Sequence, residues 1–568
     1  MMKNGMKFTK LVGVVGVFTL ALASCTGTPS TGEDVDASAG GGTTPDAGDQ
    51  TFVFGNSGAP RMFDPFYSSD GETSRITDQM YEALLSLQPG TVEVAPSLAT
   101  EWEASADART WTFKLREGVK FHDGTDFNAE AVCYNFDRWY NQKGVAQSTG
   151  VTQQWSNDFG GFAGGDPSVY EACESPEPSK VVLKLTRSSS RFPSVLSSSA
   201  YVISSPTAMQ KWDADNVTAQ GDGFNFPEYA MSHPTGTGPF TFEEYDDAQG
   251  TVTLKRNEDY WGDPAKVNTL VFRIIPDETT RRQELEAGTI DAYDSPNPVD
   301  WAGLKDDGAQ VILRDPTLNL LYVGINVSTV PALEDIRVRQ ALLYAIDRDL
   351  LVKTQLPEAA IVATQFVPPV TPGYNEDVNQ YPFDTEKAKQ LLKEAGHSDL
   401  KLPLWYPTEV SRPYMPDPKR VFEAVRDNWE AAGIEVVPVA KPWNGGYLDG
   451  REKGDAPTYI LGTVTHSNNP VNFIGTFYGV TDNAFATNLY PFGEKLASDL
   501  AAADTEPNPD TRAKAYAEIN AQLMDEYLPS LPIAHVPSAM AAANGVQGLT
   551  PSPAGQEKFA GVTVTRSE

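Results

Sequence analysis

An α/β protein built as two lobes of unequal style is predicted by three features of this 568-residue chain. The first third is dense in short alternating strands, and past Leu318 the pattern changes to helix, glycine, apolar strand, which is α/β grammar. The roughly 520 residues beyond a polar N-terminal stretch also exceed what one core holds, since single cores stop growing near ~250–300 residues.

Taken in order, Lys3, Lys7 and Lys10 precede an apolar or small-residue run from Leu11 to Leu22 that ends in Leu22-Ala23-Ser24-Cys25. A positive start, a short apolar core and small residues at the cut describe an export signal over 1–24, and the run is too short to span a bilayer. Leu-Ala-Ser-Cys resembles the bacterial lipobox, which makes Cys25 the lipidated first residue of the mature chain. Residues 25–50 are almost wholly Gly, Ser, Thr, Pro, Ala and Asp, too poor in apolar area to offset their ordering entropy, and read as a disordered tether.

In the folded body, Trp111, Phe113 and Leu115 alternate with Thr112 and Lys114 as a half-buried strand. Val181–Leu185, Thr251–Leu254 and Leu270–Ile275 read the same way, and Ala129–Trp139 reads as a helix started by Asn128. Beyond the change of style, Val338, Leu342, Ile346 and Leu350 form one apolar stripe over a helix at Ile336–Leu351. Asp384 caps a second helix that stops at Gly396, and a third through Phe422, Val425 and Trp429 stops at Gly433 before a strand at Ile434–Val439.

The formal charge is −32, and loss of three leader lysines makes the mature chain more acidic still. That excludes nucleic acid and an anionic membrane surface as partners and leaves the lipid as the only membrane attachment. With Cys25 lipidated, Cys133 and Cys173 are an even pair in an exported protein and read as a disulfide, two buried thiols being the alternative. No G-x-S-x-G, H-E-x-x-H, P-loop or G-x-G-x-x-G occurs, and nothing selects an acid pair among 76 carboxylates, so the chain reads as no enzyme. The five histidines have no ligand spacing, and no metal or cofactor is expected.

A series of short motifs resembles one family. Val94-Ala95-Pro96-Ser97-Leu98-Ala99 leads through Trp102 to Arg116-Glu117-Gly118-Val119-Lys120-Phe121-His122-Asp123-Gly124. Gly236-Thr237-Gly238-Pro239-Phe240, Asn257 with Tyr260-Trp261-Gly262, Val338-Arg339-Gln340-Ala341 and Ala345-Ile346-Asp347-Arg348 follow. Their order is similar to that in the solute-binding proteins of ABC importers, in the peptide- and nickel-binding family. Ser411-Arg412-Pro413-Tyr414-Met415-Pro416 is similar to a segment of dipeptide-binding members.

The resemblance implies a periplasmic-binding-protein fold of the Venus-flytrap type and large peptide-binding class. Lobe I then takes 51–318 with a return of 537–568, and lobe II takes 319–536. It implies a monomeric, lipid-anchored receptor on the outer face of the cytoplasmic membrane, or in the periplasm. That receptor would close on a small-molecule ligand and deliver it to a permease and its ATPase. Arg412 becomes the partner of a ligand carboxylate, because a guanidinium fork matches two carboxylate oxygens, with Tyr414 on the same wall. Peptide-binding relatives place an aspartate where this chain has His466, in Gly462-Thr463-Val464-Thr465-His466-Ser467-Asn468-Asn469-Pro470, and this loop has no carboxylate. His466, Asn468 and Asn469 are therefore candidate ligand contacts. Asp70, between Ser69 and Gly71, is a candidate ammonium partner or else a turn residue. The ligand is expected to be a peptide or related amino compound. The alternatives are an oligosaccharide or carboxylated solute stacking on Trp405, Tyr406 and Trp443, or, least favoured, an exported hydrolase.

Overall fold

The computed structural model describes residues 50–68, 70–221, 223–465, 467–475, 478 and 490–566, so Cys25, Ser69 and His466 lie outside the described residues. The chain from Ala47 onward forms one compact unit. Two mixed sheets organise it. The first has seven strands in the order 240–246, 251–256, 269–274, 51–56, 292–294, 539–542, 310–313. Its central strand Thr51–Asn56 is parallel to both neighbours, and Phe52 and Phe54 point into a core closed by Phe272 and Phe559. The second sheet has six strands in the order 361–362, 530–535, 319–325, 458–464, 401–408, 435–442. Its Asn319–Ile325 strand is buried along its whole length.

A four-stranded antiparallel sheet over 99–185 carries a core of its own, where the alternation of Trp111, Phe113 and Leu115 puts all three inside. The Ala129–Tyr140 helix packs on it, with the Asn128 side chain accepting from Ala131 N–H at 2.9 Å. Cys133 of that helix is joined to Cys173 of the Tyr170–Glu177 strand, with Cα atoms 5.2 Å apart.

Two short crossings connect the large sheets, 314–318 and 536–538, and they are stapled to each other. The Asn319 amide donates to Val536 O at 2.6 Å and accepts from Val536 N–H at 2.9 Å, while Arg314 N–H donates to Ser538 O at 2.8 Å. Beneath them lies a buried charge cluster. Arg314 bonds Asp294 (2.7 Å) and Glu557 (2.8 Å), and Arg75 bonds Asp294 (2.6 Å) and Glu72 (2.9 Å). Burial alone would raise the Asp294 carboxyl, but Arg314 and Arg75 outweigh it and pull it down to about 2. The cluster ties the Gly71–Thr77 helix to the crossing.

The continuous stripe over Ile336–Leu351 is corrected. The chain forms two helices, Ile336–Tyr344 and Arg348–Gln355, and Leu350 is 53% exposed. The break is made by Asp347, whose carboxylate caps Leu350 N–H at 2.9 Å. It turns Arg348 inward, where the guanidinium donates to the carbonyls of Ala363 (2.7 Å), Tyr381 (2.9 Å), Pro532 (3.3 Å) and Gln380. Arg339 does the same for Leu333, Glu334, Tyr527 and Leu528. Among the described residues both buried cations have carbonyl acceptors only, and they pin the loops of the second lobe to its sheet.

Candidate ligand cleft

The 411–416 segment is a tight turn closed by Arg412 N–H to Met415 O (3.1 Å) and Met415 N–H to Arg412 O (2.9 Å). Tyr414 is buried inside it, lying so close over Gly462 that a Cβ there would stand 2.3 Å from the ring. Burial raises the Tyr414 hydroxyl above its usual range, against the opposing pull of the hydrogen-bonded Arg412. The Arg412 guanidinium remains exposed, 5.1 Å above the Trp443 ring, with no acidic partner among the described residues. It faces a cavity of about 380 Å³ whose opposite wall belongs to the first sheet's lobe, including Ser57, Arg281 and Trp301.

A second cavity of about 600 Å³ opens between the lobes on either side of the 463–472 loop. The first lobe contributes Gln154, Asn157 and Ser194, and the second contributes Thr463, Ser467 and Asn472. These side chains are uncharged hydrogen-bonding groups. The charged Asp158 and Arg191 on its wall are paired to each other at 3.1 Å. The loop is internally braced: Thr465 Oγ1 donates to Ser467 O (2.9 Å) and the Asn472 amide to Ser467 Oγ (2.8 Å).

The sequence-selected residues are not all gathered in one place. Arg412 lines the smaller cavity and Asn469 the larger. The Asn468 amide is spent on Thr371 Oγ1 (2.7 Å) and Val370 O (2.8 Å), and Asn469 Oδ1 accepts from Arg512 (2.7 Å), so both anchor the loop. Asp70 is the N-cap of the Gly71–Thr77 helix, accepting from Thr73 N–H (2.8 Å) and Thr73 Oγ1 (2.9 Å). With Gly71 it borders a small recess of about 90 Å³ that shares Gln154 and Ser198 with the larger cavity. A carboxylate has about four acceptor sites, so capping leaves Asp70 able to take a further bond. Trp405 is buried in the second lobe's core under Lys441, and Tyr406 stacks on Phe422, so of the three aromatics only Trp443 stands beside Arg412.

Asp504 was not singled out in the sequence, yet it joins the lobes. Its carboxylate meets Arg191 at 3.2 Å and Arg187 at 3.7 Å from the first lobe, and Arg512 at 3.6 Å from its own. The same Arg512 holds Asn469, so the interlobe contact runs directly into the loop of the larger cavity. No motif marks these residues, because their partners are far apart in the chain.

The motifs, by contrast, explain the frame. Thr237 Oγ1 (2.9 Å), Tyr260 OH (2.7 Å) and Trp261 Nε1 (2.7 Å) all donate to the buried Glu82 carboxylate. Asn257 and His122 both donate to Gly238 O at 3.0 Å, and a Cβ on Gly238 would meet Met80 at 2.6 Å. These conspicuous residues hold the first lobe together. Among the described residues no acidic, histidine and cysteine cluster could hold a metal ion, and no helix is long and apolar enough to cross a membrane.

The sequence profile of the bacterial extracellular solute-binding proteins, family 5 (middle), matches residues 93–485. The dipeptide-binding protein of Escherichia coli (strain K12) is 31% identical over 528 residues, covering 91% of this chain and 95% of that protein. Heme-binding protein A of Haemophilus influenzae is 30% identical over 559 residues, covering 96% and 97%. The solved structure of HbpA2 from Haemophilus parasuis superposes with a TM-score of 0.78 at 29% identity, over 91% of this chain and all (100%) of that one. A two-lobed fold with an interlobe cleft and similarity along nearly its whole length identify this chain as a family 5 extracellular solute-binding protein of the ABC-importer type, and not an enzyme.

Proposed function

We propose that this protein is the lipid-anchored receptor of an ABC importer, taking peptides or related amino compounds between lobes 51–318 plus 537–568 and 319–536. It then hands them to a membrane permease. The observation that carries this reading is Arg412, a guanidinium with no acidic partner among the described residues, on a proline-flanked, hydrogen-bonded turn facing an interlobe cavity. A planar fork held this way suits a terminal carboxylate, and its stacking on Trp443 limits its swing. The likeness to a dipeptide-binding protein supports the same choice. A heme-binding relative that covers 96% of this chain means the fold alone does not choose the solute.

A second reading, a non-peptide carboxylated or polyhydroxylated solute, draws on the larger cavity. Among the described residues, its wall of Ser, Thr, Asn and Gln side chains offers no free carboxylate to a ligand ammonium, which needs one when desolvated. Thermal-shift screening of the purified protein against di- and tripeptides, oligosaccharides and organic acids tests both. A true ligand at 100 times its dissociation constant adds about 2.7 kcal/mol. Stabilisation by peptides alone supports the first reading, and stabilisation by sugars or acids without peptides replaces it with the second. For the anchor, Cys25→Ser is expected in the medium; retention in the membrane fraction refutes lipidation.

A further inference from the structure

Five carboxylates are buried among the described residues. Three of them are answered by arginine: Asp64 by Arg138 at 2.7 Å, Asp291 by Arg566 at 2.9 Å and Glu557 by Arg314 at 2.8 Å. The other two, Asp78 and Glu82, have no ion pair among the described residues, and both line one cavity of about 450 Å³. Glu82 is satisfied by the donors of Thr237, Tyr260 and Trp261. Asp78 is not. It is 3% exposed, its Oδ2 accepts from Ser199 Oγ at 3.0 Å, and its Oδ1 has no partner among the described residues. Unlike Glu557 Oε2, that oxygen is not sealed off, so it opens into the cavity that Asp78 lines. Asp78 also stands at the C-terminal end of the Gly71–Thr77 helix, where the backbone dipole disfavours a negative charge. Burial raises both carboxyls above their usual range. The one cationic side chain on the wall, Lys558, donates to the Asp78 main-chain oxygen at 2.7 Å and pairs with neither carboxylate. A buried carboxylate served by a single hydroxyl is poorly compensated, and a cation on its open oxygen removes the cost.

Every residue lining this cavity belongs to the first lobe, which sets it apart from the interlobe cleft; it shares Ser198, Ser199 and Gln556 with the small recess at Asp70. Two distant segments close over it. Gly90, at φ +73°, lies so near Thr550 that a Cβ would stand 3.1 Å from the threonine methyl, and both residues are part of the wall. The remaining walls are largely apolar, with Leu85, Pro96, Val202 and the Trp261 ring, and the volume is that of an ordinary small-molecule site. We propose that the cavity is a second binding site, confined to the first lobe, for a small organic ammonium with an apolar body. The ammonium donates to Asp78 Oδ1, and the body lies along Leu85, Pro96, Val202 and Trp261. Two carboxylates against one lysine leave excess negative charge, which selects a cation over a neutral or anionic molecule of the same shape. This site does not depend on Arg412 or on which solute the cleft takes.

The test titrates the full mature chain and its Asp78→Asn, Lys558→Met and Arg412→Ala variants by calorimetry. The probes are phenethylamine, hexylamine, phenethyl alcohol and 3-phenylpropionate. Both amines are expected to bind the wild type, and the alcohol and the acid to bind about 10-fold more weakly or worse. Asp78→Asn keeps an acceptor for Ser199 but loses the charge, and is expected to weaken both amines about 10-fold. Lys558→Met removes the neighbouring positive charge and is expected to tighten them about 2- to 5-fold, a gain that damage to the fold does not imitate. Arg412→Ala is expected to leave amine binding unchanged. The site is overturned if neither amine binds, if the alcohol binds as well as the amines, or if a folded Asp78→Asn protein binds them as the wild type does. Loss of amine binding in Arg412→Ala places the amine in the cleft and likewise overturns it. Should the asparagine variant not fold, a Lys558→Met protein that binds the amines no more tightly than the wild type overturns the site. None of these results bears on the peptide reading of the cleft.

Discussion

Replacing Asp504 by asparagine is expected to loosen the contact between the lobes without touching a ligand. The carboxylate stands 3.2 Å from Arg191, 3.7 Å from Arg187 and 3.6 Å from Arg512. At an effective dielectric of ~20, a unit pair at such distances is worth about 4–5 kcal/mol before desolvation. Most of that does not count toward closure. On opening, Asp504 keeps Arg512 and Arg191 keeps Asp158, so only the cross-lobe contacts are exchanged for water. The Arg187 side chain is 48% exposed, and its pair contributes about 0.5 kcal/mol or less. Arg191 and Asp504 are 10% and 13% exposed, and their pair nets about 1–2 kcal/mol once desolvation is subtracted. The asparagine keeps the size and one acceptor but loses the charge. Ligand affinity should therefore fall about 5- to 30-fold, mainly through faster release, and the scattering radius of the unliganded protein should grow. A double-mutant cycle of Asp504→Asn with Arg191→Met isolates the pair. A coupling energy under about 0.5 kcal/mol, with an unchanged scattering curve, would refute the interlobe role.

Three further outcomes are expected. Arg348→Met leaves four carbonyl acceptors without their donor and should cost the second lobe roughly 3–5 kcal/mol in urea unfolding. Hydrogen exchange should show the loss confined there, and a uniform loss across both lobes would count against the clamp. Serine at both Cys133 and Cys173, which are 40 residues apart, should destabilise by about 3–4 kcal/mol on the chain-entropy account; an unchanged midpoint would show that the link carries no stability. Burial pushes the His535 imidazole down to about 4, against a hydrogen bond to Asn319 O that favours the proton. Its folded value lies below the unfolded value of about 6.5, so its stabilising effect is complete above that pH and fades as pH falls toward 4, by up to about 3 kcal/mol. His535→Gln should flatten the stability profile over that window, and an identical slope in the variant would exclude His535 as its source.

Local chemistry made much of the frame legible. Asn128, Asp384 and Gly433 mark helix ends by capping and by left-handed geometry that depend only on neighbours. The strand at Thr110–Leu115 follows from alternation alone. Where a distant partner intervened, periodicity misled: the stripe through Leu350 broke because Arg348 is drawn inward by carbonyls of three other segments. Trp405 and Tyr406 had the chemistry of a stacking platform, but the second lobe's core claimed both.

By itself the sequence determined the α/β style, the change of pattern near Leu318, the acidic balance and a lipobox-like Leu22-Ala23-Ser24-Cys25. Those are properties of residues and their near neighbours. Only the tertiary structure decided that Arg281 shares a cavity with Arg412, that Asp504 answers Arg191 across the lobes, and that Asn468 and Asn469 brace a loop. Each of these depends on which side chains two separately folded halves bring within a few ångströms of one another, and no spacing along one strand or helix encodes that distance.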